Sequence, residues 1–167
     1  MSNLPDWVRR PARAIADAIQ GPETASGHAH APQRTDDGPA KARVLCVDDN
    51  PQVLRLLKRQ LGDTYDLALA QTAQDALVQM ESGDPFDVIV SDLRMPEVHG
   101  LTFLKQAREI APTTQRIILT GLPDPATMSV ARAAGGAECL IVKPWTRDEL
   151  IAALDGAVQR RRTGTIA

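Results

Sequence analysis

The chain has 167 residues, room for one ordinary domain with a tail or two. Its 19 basic and 21 acidic side chains nearly balance, and only 3% of residues are aromatic, which removes the electrostatic case for a nucleic-acid partner. No apolar run is long enough to span a membrane and the N-terminus lacks the apolar core of a secretory signal, so the expectation is a cytoplasmic protein without membrane contact.

Residues 1–20 contain a candidate short amphipathic helix. Trp7, Val8, Ala12, Ile15, Ala16 and Ile19 recur at near-helical spacing, and Pro11 marks a start. A helix this short is marginal alone, so it is either a frayed tail or a segment that folds on docking. Residues 21–40 are rich in Gly, Pro, Ala, Thr, His and Asp and read as a flexible linker. A regular pattern then fills 41–162, and 163–167 form a tail.

Residues 43–48 form a β-branched apolar run, followed by Asn50 and Pro51, a capping residue and then proline at the first helical position. Leu54, Leu57 and Leu61 mark that helix's core face. A weaker strand at 67–70 precedes a helix opened by Thr72 and Asp75, with Ala76, Leu77 and Met80 inward, and ended by Gly83 and Pro85. Residues 86–91 make a strand buried on both faces. Leu101, Leu104, Arg108 and Ala111 mark a helix stopped by Pro112, and residues 116–120 make the fourth strand. A helix over 124–134 has Met128 and Val130 as its large apolar anchors and ends at Gly135 and Gly136. Residues 139–142 make the fifth strand. Thr146 and Glu149 form a capping box for a last helix with Leu150, Ile151, Leu154 and Val158 inward. Arg160, Arg161 and Arg162 suit the negative end of that helix. Cys46 and Cys139 sit singly in strands, as buried residues and not as a disulfide framework or metal pair.

Apolar strands alternating with helices imply an α/β fold, a five-stranded parallel sheet with helices on both faces. Sites in such sheets form at the C-terminal strand ends. There stand Asp48 and Asp49, then Asp92, Thr120, and Lys143 with Pro144. Carboxylates about 4 Å apart repel by on the order of 4 kcal/mol at an effective dielectric near 20, so the cluster calls for positive charge. Lys143 supplies one, and a Mg²⁺ ion with hard oxygen ligands fits the rest. Carboxylate, cation and lysine together suit phosphoryl transfer onto an aspartate.

The segments VLCVDDNP (44–51), VIVSDLRMPEVHG (88–100), IILTG (117–121) and LIVKPW (140–145) resemble the receiver domain of two-component response regulators. The resemblance implies a flavodoxin-like sheet in the order 2-1-3-4-5. It further implies that Asp92 is the phosphoacceptor, and that Mg²⁺ is held by Asp48, Asp49, Asp92 and the backbone carbonyl of Arg94. Thr120 and Lys143 would bind phosphoryl oxygens, and Met95, Pro96 and Gly100 match the loop after the acceptor. Pro144 matches a Lys-Pro bond that is often cis. Leu140, Pro144 and Trp145 would lie on the switch and partner face.

Departures from the family pattern are Leu140 for the usual aromatic, Gly121 for the commoner Ala, His99 for Asp, and Trp145 for Phe. Trp145 reads as local packing over the last helix or as a partner hot spot. The implied partners are a histidine kinase or histidine phosphotransfer protein and a downstream protein, with a homodimer compatible. Few residues follow the last helix, so the expectation is a stand-alone receiver acting through protein contacts. It would not be an enzyme beyond its own phosphorylation and dephosphorylation, and Arg94 and Leu122 favour slow hydrolysis. Two rivals are a phosphorylation-independent pseudo-receiver and an aspartyl-phosphate phosphatase of the haloacid dehalogenase kind. The latter needs an Asp-x-Asp pair, whereas Asp48 and Asp49 are adjacent.

Overall fold

The short apolar runs become five strands: β1 (Arg43–Val47), β2 (Asp66–Ala70), β3 (Val88–Asp92), β4 (Gln115–Thr120) and β5 (Cys139–Val142). Between and after them lie α1 (Pro51–Leu61), α2 (Ala73–Ser82), α3 (Gly100–Ile110), α4 (Pro125–Gly135) and α5 (Arg147–Thr163). This computed structural model describes residues 40–95, 100–121 and 124–164. The amphipathic stretch, nearly all of the linker, Pro96, His99, Leu122 and the last three residues lie outside the described residues.

All neighbouring strands pair in parallel, in the order β2-β1-β3-β4-β5. Successive side chains of a strand face opposite sides, so each central strand feeds two cores. Leu45, Val47, Ile89 and Ile118 point into one, with Leu77 of α2, Phe103 and Leu104 of α3 and Ala131 of α4. Val44, Cys46, Val88, Val90, Ile117 and Leu119 point into the other, with Leu54, Leu57 and Leu61 of α1 and Leu150 and Leu154 of α5. This double burial is why the strands read as unbroken apolar runs.

Helix ends follow the expected chemistry. Asn50 Oδ1 accepts from the Gln52 N–H at 2.9 Å, and Pro51 begins α1. The Thr146–Glu149 capping box is complete. Gly136, at φ +61°, takes the left-handed turn after α4, where its N–H donates to Arg132 O. At α2 Thr72 accepts from the Asp75 N–H, but among the described contacts Asp75, one methylene shorter than Glu, makes no return bond.

Some packing differs from the sequence reading. The inward face of α3 is Gly100, Phe103, Leu104 and Ala107, whereas Leu101 and Ala111 lie at its flank and Arg108 is exposed. Val130 is 46% exposed, whereas Ala131 and Gly135 of α4 are buried. Cys139 is half-buried, unlike the enclosed Cys46, whose thiol pKa burial pushes up to about 12. Phe86 is buried but precedes β3, its carbonyl accepting from Thr114 Oγ1 at 2.8 Å. Arg116 is buried within β4, where its guanidinium donates to the carbonyls of Thr114 at 2.6 Å and Gly136 at 3.2 Å. Those bonds offset part of the cost of enclosing a charge.

Candidate functional site

The parallel sheet brings the C-terminal ends of β1, β3, β4 and β5 to one rim. Asp48 follows β1 and is 1% exposed, while Asp49 is exposed. Asp92 is the last residue of β3, 8% exposed and opposite Leu119 of β4. Thr120 ends β4 and is buried. Lys143 follows β5, its N–H donating to Thr120 O at 2.7 Å.

The Lys143 ammonium bridges two carboxylates. Nζ lies 2.9 Å from Asp48 Oδ2 and 3.1 Å from Asp92 Oδ1. The other oxygen of Asp48 accepts from the Asn50 N–H at 2.9 Å. Burial works against the lysine's charge, but the hydrogen bond and charge of Asp48, with those of Asp92, outweigh it and raise its pKa. Burial raises the pKa of Asp48 against the opposing pull of Lys143 and the Asn50 amide. A lysine facing two carboxylates stays protonated.

One carboxylate oxygen from each of Asp48, Asp49 and Asp92 falls within 4.8 Å of the others. Among the described residues Lys143 pairs with two of these three acids, so the cluster carries excess negative charge. All the donors are hard oxygens, and Asp49 opens to solvent, an entry path for a hydrated ion. The residues therefore fit a divalent cation such as Mg²⁺.

The loop after Asp92 is packed tightly. Gly100 N donates to Leu93 O at 3.0 Å. A Cβ on Gly100 would stand 2.8 Å from Leu93 Cα and nearer still to the Asp92 carbonyl oxygen. Its φ is not positive, so the glycine is required by close approach and not by the turn's dihedral angles. Arg94 stands two residues past Asp92 with its side chain exposed.

The three residues expected on the switch and partner face pack differently. Leu140 packs beneath α4 in the first core, and Trp145 packs against the second. Pro144 is exposed, and the Lys143–Pro144 bond is cis. The Trp145 indole N–H donates to Gln60 Oε1 at 3.0 Å. Nothing in the sequence marked Gln60, because the contact spans 85 positions and joins two elements with no shared local pattern. A groove of about 770 Å³ between α1 and α2 had no sequence signal either; Arg55, Leu69, Asp75 and Val78 line it, and the rim carboxylates do not.

The family model for the response regulator receiver domain matches residues 44–155. The chain belongs to the response regulator receiver domain family. Relatives agree with the match. The transcriptional regulatory protein TrcR of Mycobacterium tuberculosis is 34% identical over 128 residues, which cover 76% of this chain and 48% of TrcR. The hydrogenase transcriptional regulatory protein HoxA of Cupriavidus necator is 33% identical over 119 residues, 71% of this chain and 24% of HoxA. The chain thus spans half or less of the length of these regulators. Among solved structures, the signal receiver domain of an HD domain-containing protein from Pseudomonas fluorescens Pf-5 superposes with a TM-score of 0.71 at 29% identity, covering 78% of this chain and 96% of that one. A CheY-like receiver domain protein from Methanospirillum hungatei gives 0.71 at 25% identity, covering 75% and 99%. This receiver domain has, among its described residues, no helix long and apolar enough to cross a membrane.

Proposed function

We propose that this receiver domain is a phosphorylation switch that accepts a phosphoryl group on Asp92 from a phosphohistidine of a histidine kinase or histidine phosphotransfer protein. The observation that carries the reading is the Lys143 bridge between Asp48 and Asp92 beside a third carboxylate. An Asp92 carboxylate oxygen attacks phosphorus, the P–N bond to the partner's imidazole breaks, and the imidazole nitrogen keeps the electron pair. Asp92 becomes an acyl phosphate.

Bound by Asp48, Asp49, Asp92 and the Arg94 carbonyl, Mg²⁺ would neutralise charge on the phosphoryl oxygens. Lys143 is placed to follow the new charge from Asp92's carboxylate to its phosphoryl oxygen. Thr120, at the end of the adjacent strand, would donate its hydroxyl to another phosphoryl oxygen. Such a change biases neighbouring elements between two arrangements, and α4 is the natural responder because, among its described side chains, the large Val130 is exposed and the small Ala131 is buried. The chemistry is stoichiometric self-modification, with output through contacts with a further protein.

Acetyl phosphate with MgCl₂ should add one phosphoryl mass to the wild type and none to Asp92→Asn. Equal modification of both proteins would sink the reading, as would no modification of either.

A further inference from the structure

Asp48 and Asp92 are held by β1 and β3, interior strands paired on both sides. Lys143 has no such frame. It follows β5, which lies at the end of the strand order and pairs with β4. Its long side chain loses rotamer freedom when it bridges two acids, so its Cα must be well placed for the bridge to persist. One anchor is its own N–H on Thr120 O. The next residue, Pro144, is exposed and has no N–H to give.

The second anchor is Trp145. Its half-buried ring packs against the second core, and its N–H donates to Gln60 Oε1 at 3.0 Å. Two residues on, Arg147 Nε donates to the Gln60 backbone carbonyl, also at 3.0 Å. Gln60 stands in the last turn of α1, where carbonyls lack helical partners. One residue of α1 therefore takes a bond from each side of Thr146, the cap of α5. A phenylalanine at position 145 could fill the same space but could not donate.

We propose that Gln60 and Trp145 are positioning residues for Lys143: they fix the loop after β5 against α1 and thereby set the ammonium between Asp48 and Asp92. The proposal rests on the reading of Asp92 as phosphoacceptor with Lys143 as its partner.

The test uses the full chain, as wild type, Trp145→Phe, Gln60→Ala, the double variant and Gln60→Glu, which keeps an acceptor oxygen. Two readouts are taken beside the melting temperature. The first is the phosphorylation rate as a function of acetyl phosphate concentration with Mg²⁺. The second, independent of phosphorylation, is the NMR signal of the hydrogen-bonded Lys143 ammonium. Trp145→Phe and Gln60→Ala should each slow the saturating rate about threefold to tenfold with half-saturation little changed, since misplacement of about 1 Å can cost far more. The double variant should be no slower than the slower single one, because both remove the same bond. Gln60→Glu should restore most of the rate. The ammonium signal should be lost or broadened in both single variants and kept in Gln60→Glu. Single variants with wild-type rates and an unchanged ammonium signal overturn the proposal, and so do losses that multiply in the double variant. Lys143→Ala separates the two layers: phosphorylation of that variant at the wild-type rate overturns the role of the lysine itself.

Discussion

Replacing Gly100 by alanine puts a methyl group where the start of α3 meets the turn after Asp92. That Cβ would lie 2.8 Å from Leu93 Cα and 3.0 Å from Leu93 O, with the Asp92 carbonyl oxygen closer still. All three obstacles are backbone atoms and cannot rotate aside. Ordinary contacts between heavy atoms need about 3.5–4 Å, so α3 or the Asp92 turn must shift by on the order of 1 Å. Overpacking of this kind costs about 1–3 kcal/mol. Alanine restricts the unfolded chain and returns about 0.4–1 kcal/mol, leaving a net loss of about 1–2 kcal/mol. For a domain of this size that is a fall in Tm of roughly 4–8 °C. Gly121→Ala is the matched control, because a Cβ there meets nothing within 4 Å among the described residues. Only the unfolded-state effect remains, and the expected result is no change or a gain of up to about 1 kcal/mol. Thermal unfolding followed by far-UV circular dichroism in EDTA measures both. Melting of Gly100→Ala at or above the wild type, or an equal fall in Gly121→Ala, would refute this reading of the packing.

The rim makes a second, signed pair. In EDTA, Asp49→Ala should raise stability by under about 1 kcal/mol, because an exposed charge is well screened. Asp48→Ala should lower stability by about 1–2 kcal/mol, since both Lys143 Nζ and the Asn50 N–H lose an acceptor; the opposite order in thermal melts would contradict the assigned ion pair. Tyr65 donates its hydroxyl to Asp155 Oδ1 at 2.6 Å, and Tyr65→Phe should cost about 1 kcal/mol near neutral pH. Burial, followed by that hydrogen bond and the charge of Asp155, raises the Tyr65 pKa above its ordinary 10.0. The folded form then holds the proton more tightly than the unfolded chain, so this contribution is full below pH 10.0 and fades as pH rises beyond it. Denaturant melts across that range should show the gap between wild type and Tyr65→Phe closing, and a constant gap would count against it. Thr146→Ala, which opens the capping box of α5, should cost about 1 kcal/mol in the same melts.

Where a signal is local, the sequence carried it. Asn50 before Pro51 and Thr146 before Glu149 announced helix starts because the capping atoms lie within three residues of the amides they satisfy. The apolar strands announced a doubly covered sheet, which set the rim and gathered Asp48, Asp92 and Lys143 on it. Apolar character reports burial and not pairing, so the apolar run extends back to Phe86 although β3 begins at Val88. In α3, a stripe through Leu101, Leu104, Arg108 and Ala111 catches Leu104 but misses Phe103, the large fully buried ring on the true inner face. Arg116 and Gly100 were opaque for a different reason. The first is tolerated inside because its guanidinium meets the carbonyl of Thr114 and, twenty residues on, that of Gly136, and the second is required by backbone that approaches from the end of β3. The Gln60–Trp145 bond is of the same kind, a meeting of α1 with the loop before α5 that no window of the sequence contains.

An acyl phosphate on Asp92 is the centre of the proposed mechanism. Treating the full chain with acetyl phosphate and MgCl₂, then reducing with borohydride, converts a phosphorylated aspartate to homoserine at the modified position. Peptide mapping by mass spectrometry should find homoserine at position 92, dependent on both phosphodonor and Mg²⁺. Homoserine at Asp48 or Asp49 instead, or at no position, would contradict the account.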